Sequence, residues 1–145
     1  MKITTNKKDL EFKCNEIDYK TGLKIANDLK KVILYPQHKN CIGLAHNQIK
    51  GNKFVFIAKL NNTWKTFING EIIFYSKEKF KHLEGCMSFP NKENKVMRHN
   101  KIILRHETIN GFINEEFTGF NACIIQHEID HLNGKHIFNK QYKQQ

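Results

Sequence analysis

The chain has 145 residues, and its 24 Lys and Arg outnumber 14 Asp and Glu to give a formal net charge of +10. Two Pro and 8 Gly argue against a linker or disordered tail, while 39% hydrophobic residues, with 11 Phe in short apolar runs, suit one core in a single domain spanning residues 1–145. No stretch reaches the roughly 20 apolar residues that cross a bilayer, and no apolar run follows the weakly basic start, so no membrane span and no signal peptide are expected and the expected compartment is the cytoplasm.

Residues 1–18 show little periodicity and read as a strand or an irregular lead-in. From Thr21 the apolar residues Leu23, Ala26, Leu29 and Ile33 recur at helical spacing. Asp18 or Thr21 is placed to cap that helix, and Pro36 should stop it near Tyr35. Phe54-Val55-Phe56-Ile57-Ala58 is rich in strand formers, and Asn61-Asn62 supplies a turn. Lys65 to Asn69 and Glu71 to Tyr75 suggest a second strand, interrupted or bulged at Gly70. Lys95–Arg98 and Lys101–Arg105 read as further strands, and Asn110-Gly111 as a hairpin turn before Phe112-Ile113. A last helix runs from about Gly119 to Leu132 and stops at Asn133-Gly134. The fold class expected is α+β, with antiparallel strands packed around a central helix that carries the chemistry.

That helix contains His127-Glu128-Ile129-Asp130-His131, an H-E-x-x-H pattern in the narrower form H-E-x-D-H. Histidines four residues apart share a helix face and are spaced to hold one metal ion, with Glu128 beside the first as a proton acceptor for an activated water. A third ligand must come from elsewhere. Four cysteines occur, Cys14, Cys41, Cys86 and Cys123. None forms a C-x-x-C pair and no secretory signal is evident, so reduced thiols are expected, each available as a ligand. Cys86 is the foremost candidate, in Leu83-Glu84-Gly85-Cys86-Met87-Ser88-Phe89-Pro90.

E-G-C-x-S, here Glu84 to Ser88, followed by H-E-x-D-H, resembles peptide deformylase. A third motif of that family, G-x-G-L-A-A-x-Q, is partly matched by Cys41-Ile42-Gly43-Leu44-Ala45-His46-Asn47-Gln48, with Cys41 and His46 as departures. Ile68-Asn69-Gly70-Glu71-Ile72 is similar to the family's I-N-P-E-I strand, with Gly70 in place of proline. The motifs stand in the family's order, and the resemblance runs from about Cys41 to Phe138.

The resemblance implies that Cys86, His127 and His131 ligate one divalent metal ion per chain, natively ferrous iron, although zinc, nickel or cobalt also occupy such sites. It implies Glu128 as general base and acid, with Gln48 and the Met87 backbone N–H donating to the oxyanion. Glu84 and Asp130 would orient the imidazoles or pair with a cation, Arg98 being the expected partner. The implied substrate is the N-formyl group of a nascent chain beginning with formylmethionine. Ile42, Gly43, Leu44, Phe120, Cys123 and Ile124 are expected to form the pocket for its side chain. Cys41 is expected to narrow the cleft, and His46 to bring a titratable group near it. The basic surface suits ribosome or ribosomal-RNA contact, and also reads as an ordinary solvated face because the lysines are scattered. A monomer is expected. Only seven residues follow Phe138, which resembles compact versions such as those encoded by bacteriophages.

Overall fold

A computed structural model describes residues 2–139. Its first helix, α1 (Tyr19–Ile33), is capped by Asp18, whose carboxylate accepts from the Thr21 N–H and hydroxyl. The buried stripe of α1 is Gly22, Ala26, Leu29 and Val32. Leu23 and Ile33, expected on that stripe, lie at its margin, with Leu23 exposed. The lead-in before α1 is irregular, with a short 3-10 turn at Lys7–Leu10 and one parallel bridge from Asn15 to Lys53.

Eight strands follow in three antiparallel sheets. The first contains β1 (Gly43–Ala45), β2 (Val55–Leu60) and β3 (Thr63–Ile68) in that order. Asn61 and Asn62, both at positive φ, turn β2 into β3. β2 is apolar except at Lys59 because both of its faces are covered. Val55 and Ile57 pack with Leu44 and Ile68 against α1, while Phe56, Ala58 and Leu60 pack with Ala45 and Phe67 towards the last helix, α2 (Gly119–Leu132). Each fully buried side chain of this kind contributes roughly 1.5–3 kcal/mol.

The second sheet is β4 (Glu71–Tyr75), β7 (Lys101–Thr108) and β8 (Gly111–Thr118), with β7 central. Lys65–Asn69 and Glu71–Tyr75 are therefore not one bulged strand. The chain leaves the first sheet at Asn69 (φ 54°) and enters the second at Glu71, so the I-N-G-E-I stretch is a crossing between sheets. Asn69 pegs this crossing. Its side chain accepts from the Ile17 N–H and donates to the Ile17 carbonyl and to Glu107.

The third sheet is a hairpin of β5 (Lys79–Cys86) and β6 (Phe89–His99). The expected Lys95–Arg98 strand is the last part of β6, while β1 and β5 were not anticipated. Helix α2 occupies the centre, with Ala122, Ile125, Ile129 and Leu132 in the core. Gln126 ties it to the end of β6 by exchanging hydrogen bonds with the His99 N–H and carbonyl. Residues 140–145, part of the short C-terminal stretch, lie outside the described residues.

Candidate metal centre and cleft

Two elements bring three donors together. Cys86 ends β5, next to a register break at Gly85, and His127 and His131 stand one turn apart on α2. One ligand atom from each lies within 4.8 Å of the others. His131 Nε2 is 3.1 Å from His127 Nε2 and 3.3 Å from Cys86 Sγ.

Three lone-pair donors converging at this range fit a shared cation. A single proton serves one pair of them, whereas a divalent ion serves all three. Burial acts to lower the His127 pKa, but hydrogen bonds with Cys86 and Glu84 and the charge of Glu128 outweigh it and raise His127 well above the ordinary imidazole value. Burial and then the charge of His127 push His131 well below it. A soft thiol with two imidazoles suits a borderline ion.

A charged network orients this group from behind. Glu84 receives four donors. Oε1 accepts from Arg98 Nη2 (2.7 Å) and His127 Nδ1 (2.8 Å). Oε2 accepts from Arg98 Nε (2.8 Å) and His82 Nδ1 (2.9 Å). Arg98 also donates from Nη1 to Asp130 at 2.7 Å, so the guanidinium bridges the two carboxylates as expected. Burial alone would raise the Glu84 carboxyl, yet the bonds from Arg98 and His127 hold it well below the usual carboxylate range. Glu84 stays ionised and keeps His127 protonated at Nδ1, leaving Nε2 for the ion. Asp130 meets Arg98. The backbone carbonyl of His131 accepts from Asn47.

Glu128 adjoins the centre on its open side. Burial pushes its carboxyl up to about 7, against the pull of His127, and its Oε1 has no protein partner among the described residues. Gly43 shows how tightly this carboxylate is seated. A Cβ there would fall 2.4 Å from Glu128 Oε2, so any side chain at Gly43 would displace it. The Gln48 carbonyl oxygen accepts from the Ala45 N–H, which aims its amide at Ser88 Oγ (3.1 Å) and Cys86 Sγ (3.5 Å).

These groups open onto a cleft of about 730 Å³. Ile42, Gly43, Phe120, Cys123 and Ile124 line it as expected, together with Gln48, Met87, Glu128 and His127. Leu44 does not. Strand alternation turns its side chain away from the cleft and into the α1 layer, where it is fully buried. Cys41 lines the cleft, but its thiol donates to the Gly43 carbonyl at 3.1 Å, and burial followed by the Glu128 charge pushes its pKa up to about 12. It braces the glycine against Glu128. His46 was expected near the cleft and is not among its lining residues. Its Nδ1 accepts from the Lys53 N–H, and its ring fills the space a Cβ on Gly51 would need.

The sequence reading missed His82, Asn47 and the part played by Ser88. His82 had a legible signal, because period-two alternation in Phe80-Lys81-His82-Leu83-Glu84 puts Phe80, His82 and Glu84 on one face.

A cysteine sulfur and two imidazoles around one point, a raised carboxylate beside them and an amide donor facing in make the arrangement of a metal-dependent hydrolase. The family model for polypeptide deformylase matches residues 2–145, and the chain belongs to that family of enzymes. It is 33% identical over 117 residues to the peptide deformylase of Thermotoga neapolitana, covering 80% of this chain and 71% of that one. It is 39% identical over 97 residues to that of Psychrobacter arcticus, covering 64% and 53%. Among solved structures, the enzyme from a Vibrio parahaemolyticus bacteriophage in complex with actinonin superimposes with a TM-score of 0.84 at 28% identity, covering 94% of this chain and 100% of that one.

Proposed function

We propose that residues 1–145 form one catalytic domain that removes the N-formyl group from formylmethionine at the start of nascent polypeptides and releases formate. The observation that carries this reading is the single cleft holding Cys86, His127, Glu128 and Gln48 together, in a chain of the polypeptide deformylase family.

Cys86, His127 and His131 would hold the ion, which we take to be ferrous iron natively, with zinc, nickel and cobalt as workable substitutes. When bound, it supplies Lewis-acid charge that brings the pKa of water at the centre towards about 7. Glu128 takes the proton from the attacking water and delivers it to the departing amine nitrogen as the C–N bond breaks. The water oxygen ends in formate. Gln48 Nε2 and the Met87 backbone N–H donate to the formyl oxygen as it gains charge, and neither changes its own charge in doing so. Ile42, Gly43, Phe120, Cys123 and Ile124 form the apolar wall for the methionine side chain.

Exposed Lys79 and Lys81, with Lys95 across the hairpin from Leu83, give the outer face of the hairpin a basic character suited to the anionic ribosome. Among the described residues no helix is long and apolar enough to cross a membrane. We read the working form as a monomer in the cytoplasm.

The test is formate release from a formyl-Met tripeptide by anaerobically purified, iron- or nickel-loaded protein, with the acetylated tripeptide alongside. Turnover of the formyl peptide alone is expected. Turnover of neither peptide by protein with one ion per chain would overturn the proposal.

A further inference from the structure

His82 takes no part in the mechanism above, yet it donates to Glu84 and lines the cleft, as the ligand His127 does. Arg98 and Glu84 are buried, with side-chain exposures of 3% and 5%, whereas the His82 side chain keeps 21%. Its ring is held by aromatic neighbours on two elements. Phe80 on the same strand has its ring centroid 6.1 Å away, and Phe120 in the first turn of α2 lies at 5.5 Å. The hydrogen-bond direction of Nδ1 is thereby set by packing as well as by the carboxylate.

Each Glu84 oxygen accepts two donors, one from Arg98 and one from a histidine. Arg98 grips both oxygens in a fork and sets the plane of the carboxylate. His127 and His82 pull on opposite oxygens, so the His82 bond balances the pull of His127 and helps set where Oε1 meets His127 Nδ1. Partners that orient a ligand imidazole in this way commonly alter metal affinity by about 10- to 100-fold when removed.

We propose that His82 is a positioning residue of the metal centre, acting from the cleft wall through Glu84 on the orientation of His127. This rests on the reading of Cys86, His127 and His131 as the ligands. Because Phe120 and His82 share a wall, the same contact links the apolar pocket to the ligand set, and a side chain pressed on that wall bears on the His127 imidazole.

The experiment titrates metal-free protein with cobalt(II) anaerobically, following visible absorption and competing with a chelator, for wild type, His82→Leu and His82→Asn. Leucine keeps apolar bulk and loses the donor, while asparagine keeps a donor near the position of Nδ1. Leucine is expected to weaken cobalt affinity about 10-fold or more and to shift the absorption bands. Asparagine should return affinity to within about threefold of wild type, as expected when a hydrogen bond is restored. Thermal melting of the metal-free forms checks that all three fold. Wild-type and leucine proteins with equal affinity and spectra would overturn the proposal, even if the leucine form had a raised KM, because His82 would then be wall alone. A loss in leucine that asparagine does not recover would overturn it too, since bulk rather than the donor would be responsible. A wild type that binds no cobalt would overturn the ligand assignment itself, and this proposal with it.

Discussion

Helix α2 separates two regions built on opposite principles. On one side Ile125, Ile129 and Leu132 meet the apolar layer of β2 and β3, where stability scales with buried area and no single atom decides. On the other, His127 and Asp130 face the Glu84–Arg98 cluster, where four donors converge on one carboxylate and each bond has a direction. The first region tolerates changes of shape that preserve volume. The second tolerates few changes, because truncating one partner leaves a buried charge without its match.

The contrast is sharpest at Glu128. Glu128→Gln keeps size and removes the proton acceptor, and is expected to lower turnover of formyl peptide by about 10²- to 10⁴-fold. Metal content measured on the same sample should be unchanged. Residual activity near wild type would move the base elsewhere.

Arg98→Leu is the next largest break. It strips both carboxylates of their guanidinium and should cost about 3–5 kcal/mol in urea unfolding. The pH dependence has a definite sign. Glu84 is held below the usual range, so its pairing stabilises the fold above the unfolded carboxyl value of about 4.3 and is lost as pH falls towards the folded value. The gap between wild type and Arg98→Leu should therefore narrow in acid. A gap constant down to the lowest measurable pH would assign the loss to packing.

Asn69→Ala tests a seam between regions. It removes the bonds to Ile17 and Glu107 and places alanine at φ 54°, and should cost about 1–3 kcal/mol with KM and kcat little changed. Ile57→Val, inside the apolar layer, should cost only about 0.5–1.5 kcal/mol and leave metal binding intact. If Ile57→Val proved the costlier of the two, the directional and area-based regions would not differ as described.

The legibility of these features in the sequence follows the same division. Helix α2 was readable to its ends because periodicity, ligand spacing and Asn133-Gly134 agree. Arg98 was placed correctly between Glu84 and Asp130 because buried carboxylates of one sign need a cation. Leu44 was misplaced because a three-residue strand carries too little alternation to show which way one side chain points. The crossing at Asn69 reads in the sequence as one strand interrupted or bulged at Gly70, because β3 and β4 are separated by two residues yet pair with different partners. His82 and β5 were missed because alternating Lys, Phe, Lys and His looks like a solvated surface until Glu84 is known to be buried.

The packing of His46 against Gly51 couples substitutions at the two positions. The His46 ring occupies the volume that a Cβ at Gly51 would take, at 2.1 Å from Nε2. A mutational scan that changes one site at a time will score Gly51→Ala as deleterious, whereas in a His46→Ala background the same change has room. A double-mutant cycle over positions 46 and 51 is therefore expected to be non-additive.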